Sequence, residues 1–224
     1  MDINKIIKNR EARDSRNSRP ISAFMELYQA TDKALKEVQN LGASIETQET
    51  LVKSHVINIV TAVEVYYRDM LDSVFKMCDP SSFENKLKKL HDKSYKIDDL
   101  IAMYVNKIHP LELIASNHSF QNTNTIDKVF SIVIEKPFLK QVRHIKWCFK
   151  DDPKSESEAT QEDILALQDL FEYRHLLIHN PNQSLKASID VIEDQINSIL
   201  GVVMASDLVM TQYLNDNIDP EIKA

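Results

Sequence analysis

Glycine is nearly missing: Gly42 and Gly201 are the only two in 224 residues. Isolated glycines cannot build a glycine-rich phosphate loop, so neither G-x-G-x-x-G nor G-x-x-x-x-G-K-[ST] is present, and P-loop and Rossmann chemistry is excluded. Proline is sparse as well, at 7 residues, and together the two scarcities favour helices. Cys78 and Cys148 have no paired metal or disulfide spacing and sit in apolar stretches, so both are expected as reduced thiols buried on helices. The opening MDINKIIKNREARDSRNSRP lacks the apolar core of a signal peptide. The longest apolar runs, such as ILGVVMA (199–205), are too short to cross a bilayer. A cytoplasmic protein with no membrane segment is expected.

With 43% hydrophobic residues, the chain can bury one sizeable core. Its net charge of −7 is uneven: residues 1–112 carry 17 basic and 17 acidic side chains, residues 113–224 carry 10 and 17. An acidic total disfavours broad nucleic-acid binding, so contact with RNA or DNA would need local basic patches. Three stretches qualify: the arm with Lys5, Lys8, Arg10, Arg13, Arg16 and Arg19; KLKKLHDKSYK (86–96); and KPFLKQVRHIKWCFK (136–150). The last interleaves Phe138, Trp147 and Phe149 with cations that include Lys140, Arg143 and Lys146. Solvated lysine faces of amphipathic helices would look the same.

The hydrophobic pattern predicts an all-α antiparallel bundle with an inserted helical segment. Residues 1–20 read as a charged, poorly ordered arm, and 21–224 as one domain with the insertion at about 80–160. Phe24, Leu27, Tyr28, Leu35 and Val38 mark a helix from Ile21 to Leu41, stopped by Gly42. A stripe from Val52 to Met77 marks the longest helix, 47–78, and Ser81-x-x-Glu84 reads as a capping box behind it. Short helices broken at Pro110, a polar loop at 116–125 and helices near 125–135 and 137–149 follow. DDPKSESEAT (151–160) reads as a flexible connector. Thr160 should cap a helix running to Asn180, where Pro181 disfavours helical geometry. The last helix spans about Ser188 to Leu214.

That penultimate helix ends in YRHLLIHN (173–180), which admits three accounts. Histidine and arginine complement the dipole at a helix C-terminus, so the end can be purely structural. His175 and His179, four apart, could face one zinc ion, but Leu176 stands where H-E-x-x-H needs glutamate, and His144 is only a guessed third ligand. Or the end can hold a phosphate, because Arg174 can bind an oxygen pair bidentately and imidazole exchanges protons near neutral pH. Arg174 and His179 project about 140° apart on a helix, so two copies of the chain would complete such a cleft better than one.

YRHLLIHN resembles the R-x4–6-H signature of HEPN domains, in which a polar residue, here His175, commonly follows the arginine. VINIVTAVEVYYRDML (56–71) is similar to the long second helix of that family, with Glu64 in an apolar stripe. SFQNTNTIDKVFS (119–131) is similar to a segment inserted in a prokaryotic subgroup of defence and toxin systems. The resemblance covers most of residues 45–215 and turns the choice toward the phosphate. It implies an endoribonuclease without metal or other cofactor: a homodimer, toxin or antiviral effector, cleaving RNA by 2′-hydroxyl attack, with an antitoxin or sensor protein as a further partner. His179 would be general base or acid, Arg174 would stabilise phosphoryl charge, and His175, Asn180 and Tyr173 would assist. Glu64 would orient the site, unless it only pairs with Arg68 four residues on. Lys140, Arg143 and Lys146 would bind RNA backbone. The alternative is a HEPN scaffold that cleaves nothing and binds RNA, nucleotide or a partner protein; a bundle with a coincidental helix end is the plainest.

Overall fold

Apolar stripes of period 3.6 become the long helices of a computed structural model that describes residues 3–16, 19–91, 94–149 and 152–223. Helix α1 (Ile3–Arg16) precedes α2 (Pro20–Asn40) and α3 (Ile45–Met77). Gly42, at φ +66°, makes the turn between α2 and α3, and the Ser44 hydroxyl caps α3 by accepting from the Thr47 amide at 3.3 Å. Then come α4 (Glu84–Leu90), α5 (Ile97–Val105), α6 (Pro110–Asn117), α7 (Thr123–Ile134) and α8 (Phe138–Val142). Strands β1 (Lys146–Phe149) and β2 (Asp152–Glu158) follow, then α9 (Gln161–His179), α10 (Ile189–Asn217) and the one-turn α11 (Pro220–Lys223). Among the described residues the protein is all-α apart from that two-stranded sheet. No described helix is long and apolar enough to cross a membrane.

Helix α3, about 50 Å long, is the centre of the bundle and packs against α2, α6, α9 and α10. It runs parallel to α10. Tyr66 reaches Asp207 at 3.3 Å, Tyr67 and Ser206 share a buried hydrogen bond of 2.9 Å, and Cys78 pairs with Ile218 where both helices end. The inserted segment is held by aromatic packing: Tyr67 and Phe130 lie 5.5 Å apart, Phe130 and Phe138 5.0 Å, and Phe120 and Phe130 5.8 Å. Asp127 caps α8 by accepting from the Leu139 amide at 2.8 Å.

Several expectations need correction. The arm is a helix: Ile6 joins Met103, Ile108 and Leu113 in a second apolar cluster, and Arg10 and Arg13 pin α1 to Glu112 and Asp72. Ser81 caps no helix, because Pro80 opens a single 3-10 turn (Pro80–Ser82) capped by the Asp79 carboxylate instead. The helix expected at 137–149 stops at Val142, and the connector expected to be flexible supplies β2. Lys146 and Glu156 pair across this hairpin at 2.8 Å. Cys148 therefore lies exposed on a strand, whereas Cys78 is buried, its thiol pushed up to about 11 by burial. Leu27 and Met77 stand at the rim of the core, not in it.

Candidate functional site

Helix α9 starts where Thr160 and Asp163 cap each other reciprocally: the Asp163 amide donates to Thr160 Oγ1 at 3.1 Å and the Thr160 amide to Asp163 Oδ2 at 2.8 Å. It stops at His179, with the Asn180 amide closing the last turn on the Leu176 carbonyl at 2.8 Å. Ile164, Leu167, Leu170, Phe171, Tyr173 and Leu177 face the core. Helical geometry therefore places Arg174 at the border between core and solvent, and turns His175, Leu176, His179 and Asn180 outward.

Beside Arg174 opens a cleft of about 400 Å³. Its apolar lining is Val60 from α3 with Phe171 and Leu176 from α9; its polar lining is Gln121, Asn122, Gln168 and Glu172, together with Arg174 and His175. The Nε of Arg174 is buried and has no hydrogen-bond partner among the described residues. An orphaned buried donor on a charged group is costly unless something arrives to accept it.

The residues singled out from the sequence are therefore divided. Arg174 and His175 share the cleft, and the His175 and His179 rings lie 4.4 Å apart between centroids. His179 and Asn180 are exposed at the helix end and do not line the cleft. Tyr173 is 1% exposed, on the opposite face, with Lys186 Nζ 4.9 Å over its ring; burial raises its phenol above the ordinary value. Lys140 and Arg143 belong to α8 and its end and Lys146 to β1, and none of them lines the cleft. Lys150, Lys93 and the side chains of Arg16 and Phe149 lie outside the described residues. His144, the guessed zinc ligand, joins nothing: no group of three or more His, Cys, Asp or Glu converges among the described residues.

Glu64 is held on two sides. Its Oε1 accepts from Arg68 at 2.7 Å, but the pair is partly buried, not exposed, and its Oε2 accepts from Gln121 Nε2 at 2.7 Å. It thus reaches the cleft through Gln121. The carboxamides were missed because QNTNT reads simply as a polar loop; its density of amides was the available signal. Just upstream, His118 is packed 6.0 Å from Phe120, and burial, with His91 and Lys128 nearby, pushes its imidazole down to about 4.

Against protein-family models, residues 25–212 match the family described as RiboL-PSP-HEPN. The match takes in the cleft and the whole of α3 and α9 but leaves out α1. Comparison with curated proteins and with solved structures gives no match.

Proposed function

The chain belongs to the RiboL-PSP-HEPN family, whose membership carries a nuclease- or RNA-related function at family level, and from that premise we propose that it is an endoribonuclease acting at the C-terminal end of α9. The supporting observation is Arg174, which lines a cleft beside a pair of histidines and whose buried Nε finds no partner among the described residues. A guanidinium in that position suits a phosphodiester, because it can hold non-bridging oxygens bidentately and neutralise the charge they gain during displacement. The 2′-oxygen attacks phosphorus as the bond to the 5′-oxygen breaks. One imidazole takes the 2′-hydroxyl proton and another gives a proton to the departing 5′-oxygen. His179 and His175 are the groups available, and the products carry a 2′,3′-cyclic phosphate and a 5′-hydroxyl. Asn180, at the exposed cap, would hold the scissile group by its amide.

Arg174 and His179 do not line one cleft within a single chain, and this favours a two-fold homodimer in which each copy completes the other's site. Of the apolar residues flanking the motif, Phe171 and Leu177 belong to the core, leaving Leu176 (43% exposed) and Ile178 (45% exposed) for such a contact. A role as toxin or defence effector, regulated by an antitoxin or sensor protein, fits a ribonuclease of this family. The exposure of His179 equally suits the second reading, a scaffold that binds RNA, nucleotide or a partner protein without cutting. Incubating the purified protein with total RNA, with and without chelator, separates them: cleavage that survives chelation and leaves cyclic phosphate ends supports the nuclease, and intact RNA supports the scaffold.

A further inference from the structure

The carboxamides of the cleft differ in what they have left to offer. Gln168 is fully engaged: its Oε1 accepts from the Thr123 hydroxyl at 2.7 Å and the Thr123 amide at 3.3 Å, and its Nε2 donates to Glu172 at 2.9 Å. Gln121 is engaged at one end only. The Glu64 carboxylate can only accept, so the amide must turn its Nε2 toward Glu64, leaving Oε1 with no partner among the described residues. Asn122 is fixed the opposite way. The Thr125 amide can only donate, at 2.7 Å to Asn122 Oδ1, so the Nδ2 group is the end with no partner among the described residues. Two consecutive residues thus present one acceptor and one donor, each locked in orientation by a partner that tolerates no flip.

We infer that Gln121 and Asn122 form a nucleobase subsite that reads the edge of one unpaired base of a single-stranded RNA beside the phosphate held by Arg174. This rests on the ribonucleolytic reading above and specifies what that site selects. Base edges present an adjacent donor and acceptor, the complement of this pair, and RNA sequence is read on unstacked bases in this way. The apolar wall of Val60, Phe171 and Leu176 gives the base face a dry surface in the same cleft. Glu64 acts through Gln121 as a positioning residue and does not touch the RNA; Gln168 positions the start of α7 through Thr123.

Asn122→Asp tests the pair without undoing the fold, since the carboxylate still caps α7 through the Thr125 amide while the donor at the cleft becomes an acceptor. Gln121→Met removes the acceptor at nearly constant length. Two readouts are taken on the full chain at one low salt concentration: cleavage positions on total RNA, and anisotropy of labelled ribo-oligonucleotides of A, C, G or U. Wild type should rank the four bases, and each variant should change the ratio between best and worst by about tenfold or more, the size of a good base-edge contact, while circular dichroism stays unchanged. Cleavage at unaltered positions in both variants overturns the subsite and leaves the nuclease standing. A changed binding rank with no cleavage by any form supports the subsite and overturns the nuclease. Absence of binding to all four oligonucleotides overturns the subsite.

Discussion

Arg10 and Arg13 on α1 each end on a carboxylate, whereas the Nε of Arg174 on α9 meets no partner among the described residues. Arg10 meets Glu112 at 2.7 and 3.2 Å and the Lys107 carbonyl at 2.9 Å, and Arg13 lies 2.9 Å from Asp72, itself nearly buried and also paired with Lys76. On α1, cations that could have attracted RNA fasten a helix with little apolar surface. On α9, a helix already held by six buried core residues can leave its arginine unpaired. Charge left over after structure is satisfied is what a site has to work with.

Substitutions sharpen the contrast. His179→Ala should have the largest effect on activity, a loss of about 10²–10⁴-fold for a proton-transfer group, with Arg174→Ala close behind at about 10²–10³-fold. Neither should change the unfolding free energy by more than surface substitutions usually do, about 0.5 kcal/mol. Strong destabilisation with residual cleavage would return the helix end to a structural role. Mixing the two inactive variants under conditions of subunit exchange should restore part of the activity if each site draws arginine and histidine from different copies; no recovery places the pair in one chain.

Arg13→Ala should do the reverse. It is expected to cost about 1–3 kcal/mol in denaturant unfolding, moderated because Asp72 keeps Lys76, with specific activity of the folded fraction unchanged. An equal fall in activity would tie α1 to the cleft. Acid should weaken the bundle too. His55 and His118 are both held below the ordinary imidazole value of 6.5 by burial, His118 down to about 4. The unfolded chain therefore takes up the proton first, and the stability from these neutral rings, complete above 6.5, is lost as pH falls toward 4. Melting temperature should drop across that window, less steeply in His118→Asn; a flat profile would remove the histidines from the account. Glu64→Gln should give the smallest change, under tenfold in activity, since it weakens the hold on Gln121 without removing a group that meets the substrate.

The long helices could be read in advance because their information is local. Val52, Val56, Ile59 and Val63 recur at helical spacing, Thr160 and Asp163 stand three apart, and Pro181 closes α9 by a clash with its own neighbour. The motif YRHLLIHN was equally legible as a string. Its division was not, since Tyr173 is a core residue and Arg174 a cleft residue for reasons that depend on what α3 packs against α9.

The sequence by itself determined an all-α bundle, the ends of its main helices and the helix turn that carries the candidate chemistry, because periodicity, capping and proline sterics act within about one turn of chain. Tertiary structure decided everything that depends on partners far along the chain. It ordered α1 through Glu112, 102 positions from Arg10, and through Asp72, 59 positions from Arg13. It paired 146–149 with 152–158, since a strand needs a second strand to satisfy its backbone. And it brought Gln121 to Glu64 at 2.7 Å, a pairing across 57 positions that no local pattern announces.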